Sequence, residues 1–334
     1  MLGNVDYHMT GISRIWKNIL CFASMAVSIA GRPIKLGKVD GYQNRSNDII
    51  YYPSVSHSPV GCVVFFGGDM QTLSKAFVRS KKAATDYEEN MLAHRDNKHY
   101  SKWNLEFTAE LLHKRFPQQE VIIVKPSKMS LMTFSCYENF VTVNNFGAPT
   151  YEKNVDALKH LRLLLANIGP VLQRKSCEIK SETCDANLSM PKPLNLSEIP
   201  LIIIGFSKGC VVLNQFLYSF HALHQYEDHE LELFVNNITD IYWLEGGHSG
   251  SSSTWVTDKT VLQSFANLKK NVHIHVTPYQ VYCDTRPRIG KEEKIFRDTL
   301  SKMGANITRK LHFEDECRSL DKHFEVLEVF KEPT

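Results

Sequence analysis

Short apolar runs rich in Val, Ile and Phe recur along the chain, and most end at a polar or glycine-containing turn. Such runs predict buried strands. They lie at 59–66, 120–125, 200–205, 238–244, 272–282 and 307–313. Segments with helical periodicity alternate with them, at 103–116, 151–168, 208–224, 258–268, 291–303 and 320–330. The pattern predicts an α/β fold, a mostly parallel sheet with helices on both faces.

Two segments depart from this alternation. Residues 172–198 are polar and contain Pro191 and Pro193, so they predict an insertion or surface loop. The helix before them is predicted to stop at Gly169-Pro170. A length of 334 residues is compatible with one or two domains, and we interpret residues 31–334 as a single domain.

Residues 1–30 have the character of a targeting leader. The stretch from Thr10 to Ala30 is poor in acids, carries Arg14 and Lys17, and has apolar residues at helical spacing, which is typical of a mitochondrial transit peptide. The same stretch also fits a secretory signal that ends at Ser28-Ile29-Ala30. An N-terminal helix packed on the domain is the third interpretation.

Composition and charge argue for a globular domain and against a nucleic acid partner or a transmembrane segment. Hydrophobic residues make up 43% of the chain, enough for a sizeable core. The formal charge is only +3 and no long run of like charges occurs, so we expect no nucleic acid partner. No apolar stretch reaches the length of a transmembrane segment.

The cysteines and histidines indicate neither a metal site nor a cofactor. Eight cysteines are scattered without a C-x-x-C pair, which favours free thiols in a reducing compartment. Five N-x-S/T sequons would suit the alternative of a secreted protein. His273 and His275 share a strand face, but no third ligand accompanies them, so we expect no metal.

The segment Gly205-Phe206-Ser207-Lys208-Gly209 joins the 200–205 strand to the next helix. A G-x-S-x-G sequence in this setting predicts a tight turn that presents a serine hydroxyl at a helix N-terminus. Ser207 is therefore the candidate nucleophile. The alternative is a glycine-rich turn with a capping serine.

A serine nucleophile needs a histidine base and an orienting acid, which follow the serine in this order in folds with such a turn. Asp284 comes directly after the 272–282 strand, and His323 lies at the start of the last helix. The alternatives are that Asp284 only starts a turn before Pro287 and that His323 is an exposed helix-start residue.

The oxyanion formed by such a serine would be held by backbone N–H groups. The first is that of Lys208, and the second comes from the turn after the first strand, at Gly68 or Asp69. A plain strand-ending turn is the alternative. After the 238–244 strand, His248 is the reserve base and Glu245 the reserve acid.

Several longer blocks resemble a mitochondrial α/β-hydrolase-like family named only as chromosome-two open reading frame sixty-nine. These blocks are GFSKGCVVLNQ from Gly205, YWLEGGHSGSSSTWVT from Tyr242, HVTPYQV from His275, SCYENFV and NNFGAP within 135–149, and HFEVLEVF from His323. The resemblance implies an α/β-hydrolase-like fold and mitochondrial residence, with the matrix as the expected compartment. It implies no substrate.

Together these features predict a serine hydrolase of esters, thioesters or amides with Ser207, Asp284 and His323 as its triad. Its partner would be a small-molecule acyl substrate. The competing hypothesis is a non-catalytic scaffold of the same fold that binds a small molecule or a protein.

Overall fold

A computed structural model describes residues 32–56, 58–74, 86–144, 148–179, 194–248, 250 and 253–332. The predicted leader and most of the predicted insertion lie outside these ranges. Within them, none of the helices combines the length and the apolar character needed to cross a bilayer.

The core is one eight-stranded sheet in the order β1-β2-β4-β3-β9-β10-β11-β12. Its strands are Ile34–Asp40 (β1), Ser46–Tyr52 (β2), Gly61–Phe66 (β3), Gln119–Val124 (β4), Leu201–Phe206 (β9), Ile238–Leu244 (β10), Asn271–Val276 (β11) and Asn306–Leu311 (β12). Two small hairpins pair Lys128–Ser130 (β5) with Phe134–Cys136 (β6), and Thr142–Val143 (β7) with Pro149–Thr150 (β8).

Strand β2 runs antiparallel to both neighbours, and the other neighbouring pairs of the sheet are parallel. This arrangement is that of an α/β-hydrolase, so the predicted fold class is confirmed. The parallel strands point their carboxyl ends to one edge of the sheet, which is where ligands bind in such folds.

Helices cover both faces of the sheet. The described helices are Asp86–Ala93 (α1), Arg95–His99 (α2), Leu105–Arg115 (α3), Asp156–Ile179 (α4), Cys210–Ala222 (α5), His229–Asn237 (α6), Lys259–Asn267 (α7), Pro278–Val281 (α8), Arg288–Lys302 (α9) and Leu320–Val329 (α10). Cys62, Val64 and Phe66 of β3 belong to the core with α4 to α7 and α9, whereas Val63 and Phe65 face α3 and α10. Successive side chains of a strand point to opposite faces, so β3 is apolar throughout.

Several elements differ from the prediction. Strands β1 and β2 were not predicted, because polar residues interrupt their apolar positions. Helix α4 continues through Pro170, since the turns on either side place Ile168 and Val171 in the core. The strand predicted at 272–282 ends at Val276, because Pro278 has no N–H for a sheet ladder and instead begins helix α8.

Candidate active site

Ser207 occupies a strained turn directly after β9. Its φ angle is 51°, in the left-handed region that costs a non-glycine residue free energy, and one 3-10 turn then leads into α5. A Cβ atom on Gly205 would lie 3.0 Å from the Leu213 methyl carbons, and one on Gly209 would lie 2.0 Å from the Phe66 carbonyl oxygen. Glycine is therefore required at position 209, and a side chain at position 205 would force Leu213 or the start of α5 to shift.

The turn that follows β3 lies against Ser207. A Cβ atom on Gly68 would be 2.8 Å from the Ser207 Cβ. The Gly68 N–H, one of the predicted oxyanion donors, already donates to Gln71 Oε1 at 2.8 Å. Gln71 in turn donates to the Trp103 carbonyl oxygen at 2.9 Å. The N–H of Asp69 is therefore the better candidate donor on this turn.

Residues of β6 and the residue that follows it also fix this turn. The Tyr137 hydroxyl donates to the Gly67 carbonyl oxygen at 2.9 Å, and the Ser135 hydroxyl donates to the Gly68 carbonyl oxygen at 2.8 Å. The Ser135 N–H donates to Asp69 Oδ1 at 2.7 Å. These bonds hold the backbone in one orientation, as a preformed oxyanion site requires.

The second candidate donor is the N–H of Lys208, in the first turn of the helical segment after Ser207. Backbone N–H groups at this position have no acceptor within their own helix. The Lys208 N–H was predicted from the sequence as an oxyanion donor, and that role remains a prediction. The contacts of Gln71, Ser135 and Tyr137 with this turn were not predicted. Ser135 and Tyr137 lie in the SCYENFV block, which was the one sequence feature that pointed to them.

Both residues that carry these candidate donors have charged side chains. The Lys208 side chain is fully buried, and its Nζ has no hydrogen-bond partner among the described residues. Burial lowers the pKa of Lys208, and the nearby Asp69 carboxylate opposes this. Burial raises the pKa of Asp69 to about 6, although Lys208, the Ser135 N–H bond and His323 act in the other direction.

The structure joins His323 to Glu245, the reserve acid. His323 Nδ1 lies 2.8 Å from Glu245 Oε2, and both side chains are buried. The Thr277 N–H donates to Glu245 Oε1 at 2.6 Å, and the Thr277 hydroxyl donates to Oε2 at 2.9 Å. Burial raises the pKa of Glu245, while the bonds from His323 and Thr277 lower it. With Nδ1–H bound to the carboxylate, Nε2 is the imidazole nitrogen that can accept a proton.

The imidazole of His323 lies next to the serine turn. Its ring packs on Phe206, the residue that precedes Ser207, with 4.9 Å between the ring centroids. Tyr279 contacts the imidazole ring from another side at 5.6 Å. His323 is therefore a buried residue of the site, and the interpretation as an exposed helix-start residue is wrong.

Asp284 does not reach this histidine. Its side chain is 94% exposed and forms an ion pair with Arg318 at 3.2 Å. The prediction that Asp284 orients the imidazole is wrong, because β11 ends before Pro278 and the intervening turns carry Asp284 away. Glu245 directly follows the neighbouring strand β10 and fills that position.

The other candidate histidines lie elsewhere. His248 is buried beside Tyr151, with 3.5 Å between the hydroxyl oxygen and Nε2. His273 bonds to Asp240, and His275 bonds to His312. Within the ranges that the structure covers, no three or more His, Cys, Asp or Glu side chains are grouped as metal ligands.

The family model described as C2orf69 matches residues 35–191 and 170–306. The mouse (Mus musculus) mitochondrial protein C2orf69 homolog is 38% identical over 299 residues, which are 80% of this chain and 77% of that protein. The zebrafish (Danio rerio) homolog is 37% identical over 311 residues, 89% of this chain and 85% of that protein. The human (Homo sapiens) protein is 38% identical over 80% of this chain and 74% of its own length. These matches confirm the family resemblance predicted from the sequence blocks.

Distant likenesses to solved structures also occur. The chain is similar to esterase Est22 with a TM-score of 0.43 and 12% identity, over 97% of this chain and 84% of the other. It is similar to the Pyrococcus horikoshii acylaminoacyl peptidase with a TM-score of 0.41 and 8% identity, over 92% and 40% of the two chains. Strand order and connections define the fold class more firmly than these likenesses do.

We expect Asp69→Asn to stabilise the protein at neutral pH by about 3 kcal/mol. The amide keeps an acceptor for Ser135. Because the folded pKa of Asp69 is about 6, above the ordinary value of 3.8, ionisation costs stability as the pH rises between those values. The gain should be absent below about pH 4 and complete above about pH 6, measured by thermal melts across this range.

The control for this experiment is Asp284→Asn, which changes an exposed carboxylate and should leave the melting temperature nearly constant at every pH. A destabilised Asp69→Asn variant at pH 8, or a gain that persists unchanged in acid, would contradict the expected burial of this charge.

Proposed function

The chain belongs to the C2orf69 family, and we propose that it is a mitochondrial serine hydrolase that cleaves an ester, thioester or amide. The observation that carries the proposal is the bond between the buried Glu245 carboxylate and His323 Nδ1, beside a serine on a strained turn at a helix N-terminus. A buried acid that holds an imidazole in one tautomer is the arrangement that activates a serine hydroxyl.

In the proposed first step, Ser207 Oγ attacks the carbonyl carbon of the substrate. The hydroxyl proton passes to His323 Nε2, and Glu245 stabilises the imidazolium that forms. The N–H groups of Lys208 and Asp69 stabilise the negative charge that develops on the carbonyl oxygen. Collapse of this intermediate breaks the bond to the leaving group, which takes the proton from His323.

In the second step, water replaces the leaving group. His323 removes a proton from water, the oxygen attacks the acyl carbon, and the Ser207 Oγ–acyl bond breaks with return of the proton to Oγ. The products are a carboxylic acid and the free enzyme. This sequence uses side chains and backbone donors of this chain alone, so the proposal includes no cofactor.

We further propose that residues 1–30 direct the protein to the mitochondrial matrix. The acid-poor, basic and amphipathic character of this segment supports the proposal, and the three relatives are named mitochondrial proteins. The substrate is a small acylated molecule, and residues 31–334 are proposed to act as one domain.

The nucleophile can be tested with a fluorophosphonate probe, which we expect to label Ser207 covalently. Mass spectrometry of the labelled peptide locates the modified residue, and Ser207→Ala should lose the label completely. Modification of a different residue, or equal labelling of the alanine variant, would show that Ser207 is not the nucleophile. The chain would then be better explained as a non-catalytic scaffold.

The acid and base assignments are tested with the same labelling rate. His323→Ala should lower it by roughly 10³-fold, because the hydroxyl then has no proton acceptor. Glu245→Gln should lower it by roughly 10²-fold or more, because the imidazole loses its tautomer control. The matched control Asp284→Asn and the reserve base variant His248→Ala should stay within about threefold of the wild type. An inactive Asp284→Asn with an active Glu245→Gln would reverse the assignment.

The leader is tested by expression of the full-length chain in cells. We expect the protein in the mitochondrial matrix fraction, with a mature N-terminus after Ala30 identified by N-terminal peptide mapping. Glycans on Asn195 or Asn237 would instead place the chain in the secretory pathway and refute mitochondrial import.

A further inference from the structure

The two residues proposed to donate N–H groups to the oxyanion carry opposite charges. The Asp69 carboxylate is fixed by the Ser135 N–H at 2.7 Å. The Lys208 side chain is fully buried, and no acceptor within the described residues bonds to its Nζ. A buried ammonium without a hydrogen bond is costly, so a lysine at this position needs a physical reason.

The charge that develops in the proposed reaction gives a physical reason for a buried lysine at position 208. A negative charge forms on the substrate oxygen between the two backbone donors, and a carboxylate on one donor residue repels it. An ammonium on the other donor residue offsets that repulsion through space. At a separation of several ångströms in a poorly hydrated site, such an interaction changes a rate by about tenfold or more.

We propose that the Lys208 ammonium is the electrostatic counterweight to the Asp69 carboxylate at the oxyanion site. This inference rests on the proposed function. In this role the Lys208 side chain acts on the developing charge through space, so Lys208 is a positioning residue for charge and not a catalytic residue. Its Nζ is buried too deeply to be a surface charge, and Asp69 and Cys136 are the ionisable groups that favour its charged form. His323 is the other side chain whose charged form would favour ionisation of Asp69.

The experiment is a double-mutant cycle on fluorophosphonate labelling. In this reaction the Ser207 Oγ–P bond forms, the P–F bond breaks with loss of fluoride, and the proton passes to His323. The wild type, Lys208→Met, Asp69→Asn and the double variant are compared by their maximal inactivation rate and by the probe concentration at half of that rate. Lys208→Met keeps the length of the side chain, and Asp69→Asn keeps its acceptor for Ser135.

We expect Lys208→Met to lower the maximal rate about tenfold and to leave the half-saturating probe concentration unchanged. Asp69→Asn should raise the maximal rate about threefold, because the ammonium then acts without opposition. The double variant should return to within about threefold of the wild type. A faster variant and a rescued double variant are results that mere damage to the fold does not produce.

The matched control is Lys38→Met, which removes an exposed lysine on β1 and should not change the rate. If Ser207 is labelled in the wild type but Lys208→Met reacts at the same rate, the inference is wrong and the proposed function stands. If Asp69→Asn is slower and the double variant slower still, the inference is also wrong. If the wild type is not labelled at Ser207, the proposed function fails and the inference fails with it.

Discussion

The candidate site depends on glycine at positions 68 and 209, where there is no room for a Cβ atom. A Cβ atom at either position would fall within 2.8 Å of a neighbouring atom, Ser207 Cβ in one case and the Phe66 carbonyl oxygen in the other. The absence of a Cβ atom at both positions lets the end of β3 and the start of α5 approach at backbone contact. Two candidate main-chain donors from distant parts of the sequence are thereby brought close to Ser207, and the bonds from Gln71, Ser135 and Tyr137 hold the turn at Gly67 and Gly68 in place.

Three charged side chains lie at the carboxyl edge of the sheet, where burial makes their charged forms unfavourable. Glu245 and Lys208 are fully buried and Asp69 is partly buried, and burial disfavours the charged form of each. The continuous apolar cores on both faces of the sheet offset that cost. Such a division between a stable scaffold and an unfavourable site is common where activity requires preorganised charge.

The features that could be predicted from the sequence are those determined by neighbouring residues. The apolar runs of β3, β9 and β10 and the G-x-S-x-G turn have local signatures, so the sheet, its covered faces and the serine turn could be predicted. The contact between Glu245 and His323 could not be predicted, because the segment after β11 was interpreted as a longer strand despite Pro278. The bond between Glu245 and His323 joins residues that are 78 positions apart in the sequence, and partners at such a separation leave no periodic pattern. The edge strand β1 and its neighbour β2 were missed because their patterns of apolar and polar residues are mixed.

The pairing of β3 with β9 also has a consequence for how the molecule folds. Cys62 of β3 pairs with Leu201 of β9, a partner well over a hundred positions further along the chain. Contacts between such remote segments form slowly, because the loop between them loses entropy before the contact is gained. The turn at Gly68 and the turn at Ser207 meet only once β3 has paired with β9. The site is therefore expected to assemble late, and a chain arrested earlier in folding would expose Ser207 apart from the candidate donors at Gly68 and Asp69.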